Sequence, residues 1–209
     1  MNPGAIQRVV THDTFELDGG SWEVDNNIWI VGDDTEVIVV DAAHDAKAIE
    51  KAVAGRRVVA VVCTHGHNDH ITVAPQLNAD LDAPVLLNPA DTMLWEMTHP
   101  ATGFRTLEDG QVLTAGGIEL RAIATPGHSP GSTCLYAPEL GALFSGDTLF
   151  HGGPGATGRS YSDFPTILSS IKGKLGVLPP DTVVYTGHGD STTIGDELVN
   201  YDDWVKRGS

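Results

Sequence analysis

A short histidine-rich turn limits what this chain can fold into more than any other feature of its sequence. Residues 58–63 form an apolar run that predicts a buried strand, and the sequence His-Gly-His-Asn-Asp-His follows at positions 65–70. Alternate residues of an extended segment point the same way, so His65 and His67 can face one metal ion. Asp69 and His70 fall where the chain is expected to bend into a helix, and they can face a neighbouring ion. Four residues of ligand type in six positions have no evident structural role without an ion, so the turn predicts a metal site.

Three later segments repeat this arrangement of an apolar strand followed by a residue that can bind metal. Each of these residues comes directly after a glycine, which lets the backbone turn sharply and approach its neighbours closely. They are His128, Asp147 and His188. Strand ends are where α/β folds commonly assemble their sites, so we expect these residues at the same metal site. The isolated His12 and His99 are expected at the surface or in packing roles.

Apolar patterning divides the chain into strands and helices, with several strands in direct succession. Predicted strands cover residues 21–24, 27–31, 36–41, 58–63, 85–87, 118–124, 133–136, 142–145 and 182–186, and predicted helices cover 44–53, 71–78, 89–97, 164–175 and 197–206. Residues 37–40 are all apolar, as expected for a strand covered on both faces. The pattern favours an α/β fold of layered sheets with helices outside, in a single domain over residues 1–209.

Charge and composition exclude several classes of partner. The chain has 209 residues and a formal net charge of −16, which would repel both nucleic acid and anionic membranes. No apolar run approaches the roughly 20 residues that a membrane span needs. The first residues lack the basic and apolar regions of a secretory signal, so we expect a cytoplasmic protein that acts on a small molecule. Cys63 and Cys134 are predicted to be buried free thiols. The oligomeric state stays open.

The histidine-rich turn and the later glycine-led segments resemble the metallo-β-lactamase superfamily, and within it the glyoxalase II-like (hydroxyacylglutathione hydrolase-like) enzymes. The resemblance extends from the strand that ends at Asp41 to the Thr-Gly-His-Gly-Asp segment at 186–190. It implies a four-layer αβ/βα sandwich with two divalent metal ions at one edge, with Zn²⁺ expected and iron or manganese as alternatives. It also implies the assignment of ligands: His65, His67 and His128 to the first ion, Asp69, His70 and His188 to the second, Asp147 to both, and Asp41 as an acid that supports the ligands from behind.

The same resemblance implies a hydrolase in which a hydroxide between the two ions attacks a carbonyl carbon. Asp69 and Asp147 would be the catalytic residues that orient this nucleophile. Relatives that hydrolyse β-lactams usually carry cysteine or serine in place of Asp147, so the aspartate favours thioesters of low-molecular-weight thiols as substrates. Three alternatives stay open: a mononuclear iron persulfide dioxygenase, a lactonase or weak β-lactamase, and a non-catalytic binding module.

The glycine-rich segment after Asp147 carries two candidate substrate contacts, Arg159 and His151. Arg159 is equally compatible with a salt bridge that fixes the loop, whereas for His151 an idle position in solvent is the favoured alternative. The loop resembles a variant found in bacteria that use mycothiol. Larger glyoxalase II enzymes contact glutathione through basic residues of a C-terminal helical domain, and the short tail after His188 leads us not to expect those contacts. The thiol carrier therefore stays open.

Overall fold

A computed structural model describes residues 5–208 of the chain, and two six-stranded sheets form its centre. The first sheet contains, in spatial order, β1 (Ile6–Leu17), β2 (Gly20–Gly32), β3 (Glu36–Val40), β4 (Arg57–Val62), β5 (Val85–Leu87) and β6 (Arg105–Thr106). The second contains, in spatial order, β14 (Thr192–Thr193), β13 (Val183–Thr186), β10 (Ala142–Gly146), β9 (Thr133–Ala137), β8 (Ile118–Ala124) and β7 (Val112–Ala115). A small hairpin of β11 (Leu149–Phe150) and β12 (Gly153–Pro154) pairs separately. Strands β3 to β6 are parallel neighbours, as are β10 and β13.

Helices connect the strands. They are α1 (Ala46–Val53), α2 (Asn68–Ile71), α3 (Ala74–Leu81), α4 (Thr92–Thr98), α5 (Phe164–Ser170), α6 (Ile194–Leu198) and α7 (Tyr201–Arg207). Asp163 begins α5 by accepting a hydrogen bond from the backbone of Thr166, and the helix continues as a π turn over Ile171–Leu175, which confirms the predicted helix over 164–175. No helix within residues 5–208 is long and apolar enough to cross a membrane.

The apolar strand β3 shows how the first layers arise. Its side chains alternate, so that Val37 and Val39 pack with Ile49 of α1, whereas Ile38 and Val40 pack against the second sheet. The four apolar residues at positions 37–40 are all buried, as predicted for a strand covered on both faces. One sheet therefore separates a helix-facing core from a core between the sheets.

The second sheet repeats this alternation. Phe144 of β10 belongs to the core between the sheets, whereas the adjacent Leu143 packs with Ile167 of α5 and Trp204 of α7. Three apolar cores thus separate four layers in the order helices, sheet, sheet, helices. The predicted four-layer αβ/βα sandwich is confirmed.

The long β1–β2 hairpin differs from the predicted strands. The expected strands at 21–24 and 27–31 are one continuous strand, β2, and β1 was not predicted at all. Asp18 and Gly19 form the turn between them with φ values of 53° and 77°. An Asp-Gly pair with positive φ is the favoured two-residue hairpin turn, and this pair is the signal in the sequence that indicates β1.

Two helix predictions were wrong in their bounds. The predicted helix over 71–78 is instead the pair α2 and α3, and α3 begins anew with Pro75 in its first turn. Proline has no backbone N–H and suits a helix start rather than a helix interior. The predicted helix over 197–206 is likewise the pair α6 and α7, because Thr193 caps an earlier start by accepting a hydrogen bond from Asp196 N.

Candidate metal centre

The candidate ligands lie together at one end of the two sheets, each just past the end of a strand. In the first sheet, β4 leads into His65 and His67, and α2 carries Asp69 and His70. In the second sheet, β8, β10 and β13 lead into the segments that hold His128, Asp147 and His188. The donor atoms of all seven residues form three overlapping groups, within each of which they lie within 4.8 Å of one another.

Glycines next to the ligands make this convergence possible. A Cβ on Gly187 would collide with Oδ1 of Asp147 and lie 2.9 Å from Cε1 of His70. Gly146 has a φ of +49°, and a Cβ there would collide with the side chain of Thr64. The close backbone approach predicted for the glycines that precede the ligands is confirmed at both positions.

The first donor group contains Nε2 of His65, Nδ1 of His67 and Nε2 of His128. The His67 nitrogen lies 3.0 Å from each of the other two. Two of the three outer nitrogens face oxygens: Nδ1 of His128 donates to the carbonyl of Ala156 at 2.8 Å, and Nδ1 of His65 lies 3.2 Å from Oγ1 of Thr64. A neutral imidazole has one N–H, so protons on these outer nitrogens leave lone pairs on the inner ones. Nδ1 of His67 can donate one hydrogen to only one of these two neighbours, so at least one lone pair stays without a partner unless a cation lies among the three nitrogens.

The second donor group contains Oδ2 of Asp69 and the Nε2 atoms of His70 and His188. The two histidine nitrogens are 3.2 Å apart, and they lie 3.5 Å and 3.3 Å from the Asp69 oxygen. Here too the outer nitrogens have acceptors: Nδ1 of His70 donates to Asp41 at 2.9 Å, and Nδ1 of His188 donates to the carbonyl of Asp25 at 2.8 Å. These bonds aim both Nε2 atoms inward.

Asp147 lies between the two groups. Its Oδ2 atom is 3.6 Å from Nε2 of His128 in the first group and 3.3 Å from Nε2 of His188 in the second. Its Oδ1 atom is 3.3 Å from Nε2 of His70. One carboxylate thus reaches donor atoms of both groups.

Burial makes part of the cluster electrically neutral. It lowers the pKa of His65 well below its usual value and the pKa of His67 to about 3. The cause is the loss of hydration, which penalises the charged imidazolium. Both side chains are therefore neutral near pH 7 and offer lone pairs.

Carboxylates make the rest of the cluster favour positive charge. Burial alone would lower the pKa of His70 and His188, but Asp147 and its neighbours raise the first well above its usual value and the second to about 10. Burial would likewise raise the pKa of Asp69, yet His70 and His188 lower it to about 2. The carboxylates stay ionised and attract cations to this half of the cluster.

The residues of the cluster fit metal ions by their chemistry as well as their positions. Oδ1 of Asp147 and Nε2 of His67 are buried and have no hydrogen-bond partner within residues 5–208. The Asp147 oxygen lies 3.3 Å from Nε2 of His70 but makes no hydrogen bond to it, so a cation bound between the two atoms would satisfy both. Imidazole nitrogens and carboxylate oxygens are donors that zinc, iron and manganese accept. The cluster is compatible with a dinuclear metal site.

Asp41 supports the cluster from the end of β3. It has a φ of 68°, and its carboxylate accepts hydrogen bonds from the backbone and hydroxyl of Thr64 at 2.7 Å and 3.1 Å as well as from His70. This carboxylate therefore orients one ligand and fixes the residue that precedes another.

Asn26 is a supporting residue that was not predicted. It is fully buried in the middle of β2, and its Nδ2 donates to Oδ2 of Asp69 at 3.0 Å. Its Oδ1 accepts a hydrogen bond from Nε2 of His44 at 2.9 Å. The signal in the sequence is the polar run Asp25-Asn26-Asn27 within β2, whose first two residues form the gap between the predicted strands at 21–24 and 27–31.

A pocket of about 200 Å³ opens onto the cluster. Besides five of the candidate ligands, its lining consists of Phe15, Val24, Phe150, Ala156 and Arg159. The guanidinium of Arg159 lies 4.1 Å from the ring centroid of Trp22 and 5.3 Å from that of Phe15. An apolar wall with one cation thus borders the metal cluster, and the apolar residues of this wall were not predicted.

The other histidines lie elsewhere. His151 does not line the pocket; its ring is largely exposed, with Nδ1 3.5 Å from Oε1 of Glu197. His12 lies at the surface between Glu23 and Asp25, and His99 packs on Trp95, which confirms the surface and packing roles expected for both.

Comparison with known proteins places this cluster in a family. A model of the metallo-beta-lactamase superfamily matches residues 22–188. Over 186 residues the chain is 30% identical to the hydroxyacylglutathione hydrolase GloC of Haemophilus influenzae, which covers 81% of this chain and 87% of that protein.

Solved structures show the same fold. TTHA1623, crystallised in a di-iron-bound form, has 31% identity and a TM-score of 0.76, covering 84% of this chain and 93% of its own. The BLEG-1 B3 metallo-beta-lactamase has 27% identity and a TM-score of 0.75, covering 93% of this chain and 99% of its own. The match over residues 22–188, together with the four-layer fold, shows that this chain belongs to the metallo-beta-lactamase superfamily.

Proposed function

We propose that the protein is a dinuclear metal-dependent hydrolase that cleaves thioesters of low-molecular-weight thiols. The observation that carries the proposal is the place of Asp147, whose carboxylate lies within 3.6 Å of donor nitrogens from both groups. A single carboxylate between two complete donor groups suits a pair of ions better than one ion. Zn²⁺ is the metal that we propose, and the di-iron form of TTHA1623 makes iron the main alternative.

We assign the candidate ligands to two ions according to the donor groups described above. His65, His67 and His128 would hold one ion, Asp69, His70 and His188 the other, and Asp147 both. When bound, two such ions supply a water acidic enough to give hydroxide near neutral pH and a Lewis acid for a carbonyl oxygen.

The remaining steps fall to the residues of the chain. The carboxylates of Asp69 and Asp147 would accept a hydrogen bond from the attacking water and so orient it. Phe15 and Phe150 line the pocket and would exclude other water from the acyl group. A thiolate leaving group needs little protonation, so no separate general acid is required. Arg159, which lies over Trp22 at the edge of this pocket, is proposed to contact the thiol carrier.

Two observations favour thioesters over other substrates of such a site. The residue between the donor groups is an aspartate rather than the cysteine or serine usual in β-lactam-hydrolysing relatives. In addition, the relative GloC of Haemophilus influenzae is named as a hydroxyacylglutathione hydrolase. The persulfide dioxygenase, lactonase and β-lactamase alternatives are outcomes of the same test.

The test combines the metal content per chain with activity assays. We expect two divalent ions per chain by elemental analysis, and turnover of S-lactoylglutathione or of its mycothiol counterpart. One iron per chain with oxygen consumption on a persulfide would overturn the proposal. Turnover confined to lactones or β-lactams would retain the metal centre and reject the substrate class.

Replacement of Asp147 tests the metal pair directly. Asp147→Ala is expected to lose at least one ion and to lower kcat by at least about 100-fold, because electrostatic stabilisation at such sites is commonly worth that much. Asp34→Ala, at an exposed loop carboxylate, is the matched control and should keep both ions and full activity. Two ions and wild-type kcat in Asp147→Ala would show that the carboxylate does not bridge.

A further inference from the structure

Asp91 is a buried carboxylate close to the metal cluster that is not one of its candidate ligands. It ends the 3₁₀ turn Pro89–Asp91 before α4 and has no exposed surface. It accepts three short hydrogen bonds: from Gly66 N at 2.8 Å, from the Ser129 hydroxyl at 2.7 Å and from Gly131 N at 2.6 Å. All three donors are uncharged, and their hydrogen bonds compensate for part of the lost hydration of the carboxylate.

The three donors belong to the two turns that carry the first donor group. Gly66 lies between His65 and His67, whereas Ser129 and Gly131 lie one and three positions after His128. The two turns are about 60 residues apart in the sequence and come from different sheets. One carboxylate therefore joins the segments whose nitrogens converge within 3.0 Å.

Glycine at positions 66 and 131 leaves the space that the Asp91 side chain occupies. A Cβ on Gly131 would lie 2.7 Å from Cγ of Asp91, and a Cβ on Gly66 would lie 3.0 Å from Cβ of Asp91. A side chain at either position would push its turn away from the carboxylate. Close packing against Asp91 thus explains why the residue between His65 and His67 is glycine.

The carboxylate also contributes charge. Burial raises the pKa of Asp91, and the hydrogen bonds from Ser129, Gly66 and Gly131, together with the nearby His128, oppose that rise. The first donor group consists of three imidazoles, which are neutral when they bind a metal. Asp91 adds a negative charge close to His128 without pointing into the cluster.

We propose that Asp91 is a positioning residue that holds the turns of His65, His67 and His128 in place and so sets the affinity of the first ion. This inference rests on the dinuclear site proposed above. Without the carboxylate, the two turns would have to be ordered by the ion itself, and part of the binding free energy would be lost. Loss of such supporting groups typically costs about 10–100-fold in metal affinity.

The test is the metal affinity of Asp91→Asn. A carboxamide keeps the size of the side chain but removes the charge and replaces one acceptor oxygen with an NH₂ group, which cannot accept from a backbone N–H. We expect one of the two ions to bind about 10–100-fold more weakly and the other to keep its wild-type affinity. Chelator competition on the apo protein reloaded with Co²⁺ measures both affinities, and the Co²⁺ absorption spectrum reports the altered site.

Two further variants separate positioning from folding. Ser129→Ala removes one of the three hydrogen bonds and keeps the carboxylate. The affinity for the same ion should therefore fall by a smaller factor than in Asp91→Asn. Asp34→Asn, at an exposed carboxylate, should change neither affinity. If Asp91→Asn does not fold, the metal affinity of Ser129→Ala tests the proposal instead, and a wild-type affinity for both ions in that variant would reject it. Thermal unfolding of the apo proteins shows whether the fold itself has changed.

The outcomes distinguish this inference from the proposed function. Wild-type protein that binds no ion pair would reject both. Wild-type protein with two ions, and an Asp91→Asn variant with both ions at wild-type affinity, would reject only the positioning role. Equal weakening of both ions in proportion to a loss of apo stability would show that Asp91 merely stabilises the fold.

Discussion

At the scale of single residues, the site depends on what holds the outer side of each ligand. Four of the five histidines in the cluster have an oxygen facing the nitrogen that points away from it, and for His70 this oxygen belongs to Asp41. Asp41 adopts a left-handed φ of 68°, which aspartate tolerates better than most residues, and from there it reaches both His70 and Thr64. The unusual backbone conformation thus serves the orientation of a ligand.

Asp41→Ala should weaken the binding of the ion that His70 is proposed to hold. The substitution leaves Nδ1 of His70 and the backbone N–H of Thr64 buried without an acceptor, which costs about 1–3 kcal/mol for each group. We expect roughly 10–100-fold lower affinity for that ion, measured by calorimetric titration of the apo protein with Zn²⁺. Asp41→Asn keeps one acceptor oxygen, so its affinity for the ion should lie between those of the wild type and Asp41→Ala. Unchanged titration curves for Asp41→Ala would contradict the supporting role.

At the scale of elements, the side chain of Asn68 attaches strand β1 to the turn that carries the first candidate ligands. Nδ2 of Asn68 donates to the Thr14 carbonyl at 2.9 Å, and Oδ1 accepts from the Glu16 N–H at 2.8 Å. Phe15, between these two residues, lies 5.2 Å from the ring of His67 and 5.6 Å from that of Trp22. Asn68 therefore fixes the edge strand that supplies the aromatic wall of the pocket.

Asn68→Ala should loosen this hairpin without removing a metal ligand. Trp22 is 41% exposed, whereas Trp29, Trp95 and Trp204 are at most 5% exposed, so acrylamide quenching of fluorescence reports mainly on Trp22. We expect stronger quenching in the variant and an unchanged metal content. Trp22→Phe serves as the control, since it should abolish most of the quenchable signal. Equal quenching in wild type and Asn68→Ala would show that the hairpin is held by other contacts.

At the scale of the whole molecule, the cluster of candidate metal ligands joins the two sheets. Each donor group takes residues from both: His67 with His128 in the first, and His70 with His188 in the second. Hydrogen bonds from Asn27 N to Gly187 O at 2.8 Å and from the Trp29 indole to Thr186 O at 3.1 Å cross the same end of the sandwich. Bound ions would therefore stabilise the packing of one sheet on the other.

Removal of the metal should lower the melting temperature of the protein. A ligand at 100 to 1,000 times its Kd stabilises the folded state by about 2.7–4.1 kcal/mol. For a chain of this size each kcal/mol shifts Tm by about 2–4 °C, so chelation should lower Tm by roughly 5–16 °C. Scanning calorimetry with and without chelator measures the shift, and added Zn²⁺ should reverse it. An unchanged Tm would mean that the ions do not join the sheets.

Local patterns determined much of this protein. The apolar run at residues 37–40 predicted a strand covered on both faces, because burial on both sides leaves no polar position in the alternation. The His-Gly-His-Asn-Asp-His turn, and the glycines before His128, Asp147 and His188, indicated the seven residues that the structure brings together. These features lie within a few consecutive residues, so the sequence by itself contains them.

Only the tertiary structure decided which distant groups meet. The pairing of Asp91 with Gly66 and Gly131, and of Asn26 with Asp69, joins residues 25 to 43 positions apart. The attachment of β1 to Asn68 spans more than 50 positions. No local propensity specifies such contacts, because they arise when the two sheets pack and their strand ends come to one edge. The sequence therefore determined the candidate metal ligands, and the packing of the sheets determined what holds them in place.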